Sequence, residues 1–225
     1  MFKKIEKLII QNRSTLSSYH FKVAREWRIL GQENKLHTPL SYSSFEYRMA
    51  IERFLFEFYF IMKGIDKFKK GDEKEASSIP KLISAIYKLT GKKEVFKKKL
   101  LFNRIIGEEV GLKGKDLPAY FDIDILISYW NKLSNYCHKQ LSPKKTWDLM
   151  GNEWVISGYN LLDKVDDYLW NNMLINSIGW LREESLCEEQ YIALCDFING
   201  KINEEILRIR IQLMLPILKR RDLYK

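Results

Sequence analysis

The stretch SSFEYRMAIERFLFEFYFIMKG, Ser43 to Gly64, decides the fold class. From Phe54 to Met62 it is apolar on nearly every side of a helix, with Glu57 the one charge. Such a run belongs to a buried central helix; it is too short to span a bilayer. Ser43-x-x-Glu46 reads as a capping box that opens this helix, and Gly64 as the residue that closes it. Arg48 with Glu52, and Arg53 with Glu57, stand four apart and are placed to pair along its surface.

Outward from this helix the same periodicity continues. A first helical stretch runs from Phe2 to Leu30, with a break near Ser14–Ser18, and Gly31–Pro39 is a loop. Gly71–Ser78 is a linker, Pro80 opens a short helix ending at Gly91, and Lys92–Val110 is a further, strongly basic helix. Gly111–Phe121 is a loop. Asp122 or Asp124 then caps a helix closed by Ser142-Pro143. A long helix covers Asn152–Met173, Ser185-x-x-Glu188 is a second capping box for a helix ending at Gly200, and a last helix starts near Asn203. Pro216 should kink or end it. No strand periodicity and no repeat interrupt this series, so the expectation is an all-α protein.

The 225 residues suffice for a buried core, and 11 Gly with 5 Pro leave little punctuation for a many-stranded fold. The three cysteines form no CxxC pair, which argues against a disulfide framework and points to a reducing, cytoplasmic setting. In MFKKIEKLIIQN the apolar run stops at Ile10, too short for a signal peptide. Charge is uneven. Residues 1–150 carry 29 Lys and Arg against 17 Asp and Glu, a surplus of 12, whereas 151–200 carry 2 against 9, a deficit of 7. The first pattern suits a polyanion and the second a protein partner; a plainly solvated surface would produce both. Phosphate-loop, dinucleotide, HExxH and GxSxG patterns are all absent from the sequence, and no cofactor or metal is expected.

Chemistry concentrates on ISYWNKLSNYCHKQLSPKKTW, Ile127 to Trp147. On an ideal helix Leu126, Tyr129, Trp130, Leu133, Cys137 and Leu141 share an apolar face. Asn131, Ser134 and His138 fall along one border of it and Lys132 along the other. His138 is thus a groove-side or interface residue: the commoner reading is hydrogen-bonded packing, the sharper one a general acid/base.

Taken together, the Arg- and Glu-bearing aromatic helix Ser43–Gly64 and the later helix ending LSNYCHKQL, Leu133 to Leu141, resemble the HEPN superfamily over residues 15–172. These helical domains are found in toxin–antitoxin, abortive-infection and CRISPR-associated systems. Active members cleave RNA without metal, with four to six residues between an Arg and a following His and a site commonly built across a dimer. The resemblance implies His138 as that histidine. The arginine positions hold Asn131, Lys132 and Leu133, and lysine lacks the bidentate fork. Either Arg48, Arg53 or Arg104 comes in from another helix, or the chain binds without cutting.

The densest cationic tract, KKEVFKKKLLFNR, offers Lys92, Lys93, Lys97, Lys98, Lys99 and Arg104 as phosphate contacts, with Phe96 and Phe102 interleaved. Its plainer reading is a solvated helix with its aromatics turned inward. The two tryptophans of Trp147–Trp154 are core residues or interface anchors. The expectation is a HEPN-like bundle over 1–172 with a helical extension over 173–225. It would be a non-catalytic module for a protein partner or homodimer, and for nucleic acid, RNA before DNA, with no membrane. Two alternatives stand beside it: a metal-independent endoribonuclease using His138, Lys132 and Asn131, and a stand-alone nucleic-acid binder.

Overall fold

A computed structural model describes residues 16–64, 67, 78–137, 152–174 and 186–220. It is all-α: no β-strand occurs among these residues. The helices are α1 (Ser17–Gln32), α2 (His37–Lys63), α3 (Ile79–Thr90), α4 (Lys93–Glu109), α5 (Ile123–Cys137), α6 (Asn152–Leu169), α7 (Glu188–Ile198) and α8 (Glu204–Arg220). A π-helical turn, Trp170–Leu174, continues α6. None of the described helices is long and apolar enough to cross a membrane.

Most punctuation acts as the sequence indicates. Gly64, Gly91 and Gly200 take the left-handed conformations, with φ of 83°, 98° and 73°, that end α2, α3 and α7. Asp122 caps α5, its Oδ1 accepting the Asp124 N–H at 2.8 Å, and Asn203 Oδ1 accepts the Ile206 N–H at 2.9 Å to open α8.

Three expectations need correction. The first concerns the capping box at Ser43, because α2 starts six residues earlier, at His37, and the loop before it is correspondingly short. Ser43 is buried inside the helix, where its hydroxyl donates to the Ala24 carbonyl at 2.8 Å, and Glu46 turns instead to His20. Tertiary partners have taken both members of the box. At the second box, Glu188 is the first helical residue, and the Cys187 N–H donates to Gln190 Oε1 at 2.9 Å; Ser185 lies outside the described residues. Finally, of the two outcomes expected at Pro216, a kink or an end, the end does not occur: α8 runs on to Arg220.

The chain divides into two compact units, both discontinuous: the described residues of Met1–Phe58 with Asp122–Trp170, and those of Tyr59–Phe121 with Asn171–Lys225. The expected extension from residue 173 therefore shares a unit with α3 and α4.

In the first unit α1 and α5 both pack on α6. Tyr47, Ile51, Phe54, Leu55 and Phe58 of α2 and Leu162, Val165 and Leu169 of α6 are at most 1% exposed. Burial of this apolar surface is the main source of stability. A polar network lies within it. Asp166, 4% exposed, accepts from the Tyr47 hydroxyl at 2.7 Å and Arg28 Nη2 at 3.3 Å, and is ion-paired with Arg25, whose Nε lies 3.1 Å from Oδ1. Arg28 also binds Asp163, which takes Gln32 Nε2 at 2.9 Å. Burial, and then the bond to Asp166, push the Tyr47 phenol well above its ordinary range, so it remains a donor.

The second unit is organised around α4, α7 and α8, which pack mutually. Phe102, Ile105 and Ile106 meet Ala193, Leu194, Phe197, Leu207 and Ile211 in one core cluster. Gly107 lets α4 approach the loop after it closely: a Cβ there would stand 2.6 Å from Pro118 Cδ.

Candidate functional site

The helix singled out by its sequence, α5, presents two different polar environments, both within the first unit. Tyr129, Lys132 and Tyr136 recur at i, i+3 and i+7 and so share one stripe. On α6, Trp154, Ser157, Leu161 and Lys164 recur in the same way. The two stripes, with Asn135 and Asn160, line a groove of about 650 Å³. Lys132, Asn135, Ser157, Asn160 and Lys164 are exposed. Trp154 is held between His37, stacked at 5.7 Å, and Tyr136, tilted at 4.8 Å, so this wall is fixed by packing. Gly158 brings α6 close to Tyr136 and Leu40: a Cβ there would come within 2.8 Å of Tyr136 Cε1 and 2.7 Å of Leu40 Cδ2.

No carboxylate lines this groove. Two of the four carboxylates of α6, Asp163 and Asp166, face α1, where Arg25 and Arg28 neutralise them. Glu153 and Asp167 are exposed on the same helix and are not part of the lining. Lys164 lines the groove, so its lining carries two cations and no anion.

On the other side of α5, Arg48 of α2 lies over the Trp130 ring, 4.4 Å from its centroid, and 3.7 Å from Glu52. Glu52 accepts the Trp130 indole N–H at 2.7 Å. The Cys137 thiol donates to the Leu133 carbonyl at 3.3 Å; burial pushes that thiol up, and the nearby Arg48 guanidinium partly offsets it. Of the three arginines that sequence reasoning offered as a substitute cation, Arg48 is therefore the one set against α5. Arg104 donates to Glu108 Oε1 at 2.9 Å and the Pro118 carbonyl at 3.2 Å. Arg53 stands near Glu57, as its i+4 spacing implies, but Glu57 accepts both the Ser17 N–H at 2.7 Å and the Ser17 hydroxyl at 2.6 Å.

Among the motif residues, Lys132 lies in the groove, and Asn131 is exposed but does not line it. His138 lies outside the described residues, as does Trp147.

The basic helix α4 is largely occupied with its own unit. Lys98 Nζ donates at 3.0 Å to each of the Phe197 and Ile198 carbonyls, capping the C-terminus of α7. Its ammonium also lies 5.5 Å from the Phe197 ring centroid. Lys93, Lys97 and Lys99 are half-buried and engaged, and Lys92 is exposed. Phe96 and Phe102, at 1% exposure, face the core.

Sequence reasoning missed Lys164 as the groove's second cation and His20 as a partnered histidine, whose Nδ1 lies 2.7 Å from Glu46 Oε2. No three His, Cys, Asp or Glu side chains among the described residues form a metal-holding group. Compared with family models, curated proteins and solved structures, the chain matches none.

Proposed function

We propose that the chain is a HEPN-like helical module that binds and does not cut, serving a bacterial defence or toxin–antitoxin-like assembly. One observation carries the binding reading: two lysines and two carboxamides, with no carboxylate, line a groove between α5 and α6, the latter held to α1 and α2 by a buried ionic network. That chemistry suits the sugar–phosphate backbone of nucleic acid, with ammonium groups on phosphates and carboxamides on hydroxyls. Exposed apolar residues of α1 and α2, Ile29, Leu30, Tyr42 and Phe45, support a protein contact, with a partner or a second copy of the chain.

The test is filter binding of single-stranded RNA, single-stranded DNA and duplex across 50 to 200 mM salt (an arbitrary but convenient window of roughly that span). Binding to RNA that falls steeply with salt supports the module; salt-independent retention, or none, overturns it.

A metal-independent endoribonuclease is the second reading, favoured by the contact of Arg48 with Cys137, the residue preceding His138. Under it, Arg48→Ala and His138→Ala would each abolish a cleavage that the wild type performs in EDTA.

A further inference from the structure

We infer that the groove between α5 and α6 is a site for one nucleoside phosphate unit, free or within a strand. This deepens the binding reading above and rests on it for the location of the site.

Four features converge. The volume, about 650 Å³, lies within the range of roughly 300–1,000 Å³ usual for small-ligand sites. Lys132 and Lys164 reach it from facing helices, each a compact point charge for a phosphate. Asn135 and Asn160 each offer a donor and an acceptor on one carboxamide, the pairing that matches the hydrogen-bonding edge of a base or a ribose diol. Finally, Trp154 is packed against His37 and Tyr136, so the aromatic side of the groove is ordered before a ligand arrives.

Two other basic surfaces among the described residues lack this combination. The depression beside α3 presents Lys88 and Lys92 on a mostly apolar floor with no carboxamide. Lys98 and Arg104 of α4 already serve as helix cap and loop anchor. The groove joins two exposed cations to hydrogen-bonding groups that read a nucleoside, and its lining places no carboxylate against the phosphate.

The experiment is titration calorimetry of the full chain with adenosine and guanosine monophosphates, inorganic phosphate and a short single-stranded RNA. Lys132→Ala, Lys164→Ala and Asn160→Ala are compared with Lys88→Ala, an exposed lysine outside the groove. The expected result is nucleotide binding at least tenfold tighter than inorganic phosphate, weakened about tenfold by each groove variant and untouched by Lys88→Ala. RNA binding with the same variant pattern but no mononucleotide binding assigns the unit to a strand and upholds the site. Equal weakening by Lys88→Ala, or no dependence on Lys132 and Lys164, overturns it. Should RNA still bind with a steep salt dependence in that case, the module reading stands and this site alone falls.

Discussion

Arg48 lies over Trp130, 4.4 Å from the ring centroid, and not beside Lys132, although Trp130 and Lys132 are two residues apart on α5. Two residues on a helix is about 200° of rotation, so the two cations associated with α5 work on opposite sides. Arg48 is shared between Trp130, Glu52 and Cys137, whereas Lys132 faces the groove and Lys164. This separation gives the two functional readings distinct residues to test.

Arg48→Ala is expected to cost about 1–2 kcal/mol of stability, from the lost cation–π contact and the weakened hold on Glu52. Arg48→Lys should recover less than half, since the planar guanidinium suits the ring better. Urea unfolding measures both, and nucleotide affinity at the groove should be unchanged. Equal stability of the alanine variant and the wild type would show that the stack contributes nothing.

Asp166 holds α1, α2 and α6 together through Tyr47, Arg25 and Arg28. Asp166→Ala leaves two arginines without their shared carboxylate and is expected to cost about 3–5 kcal/mol. Tyr47→Phe removes one donor and should cost about 1–2 kcal/mol. If the network also fixes the rotation of α6, an Asp166→Asn protein that still folds will bind nucleotide more weakly without losing Lys164.

Glu57 supplies a pH signature. Burial raises its carboxyl above the ordinary 4.5, against the lowering effect of the two bonds from Ser17. The folded state therefore holds this proton more tightly than the unfolded chain. Its contribution is fully present below pH 4.5 and is lost as pH rises through the raised value. Glu57→Gln removes that loss, so the variant should gain on the wild type as pH rises from below 4.5 through the raised value. Parallel pH–stability curves would contradict the assignment.

Glu108 behaves in the opposite sense. Its partial burial alone would raise the carboxyl, but bonds from Arg104 and Arg208 outweigh this and hold it below 4.5. Its contribution is present above that value and is lost as pH falls through the lowered one. Glu108→Gln should therefore be less stable than the wild type at neutral pH and lose less on acidification, as followed by circular dichroism. A variant as stable as the wild type at neutral pH would remove Glu108 from the stabilising pairs.

Helix ends were legible wherever a residue's own backbone preference decides them, as at Gly64, Gly91, Asp122 and Asn203. They were misread where tertiary contacts override local chemistry. Ser43 and Glu46 have the spacing of a cap, but the Ala24 carbonyl and His20 claim them inside a longer helix. The proline of α8 does not end the helix, which is already anchored by Leu207 and Ile211 in the core with α4 and α7. The groove was half legible. Lys132 stands out in the sequence, but its counterpart Lys164 lies in a segment that composition marks as acidic. The pairing of Asp163 and Asp166 with arginines of α1, far away in sequence, turns half of the acidity of α6 away from the groove.

The most direct test of the account is to incubate the purified chain with end-labelled single-stranded RNA in EDTA, and to score binding and strand length in the same sample. The account predicts full-length RNA, bound by the wild type and by His138→Ala, and released by Lys164→Glu. Shortened RNA that appears with the wild type and vanishes with His138→Ala would contradict it and establish a nuclease instead.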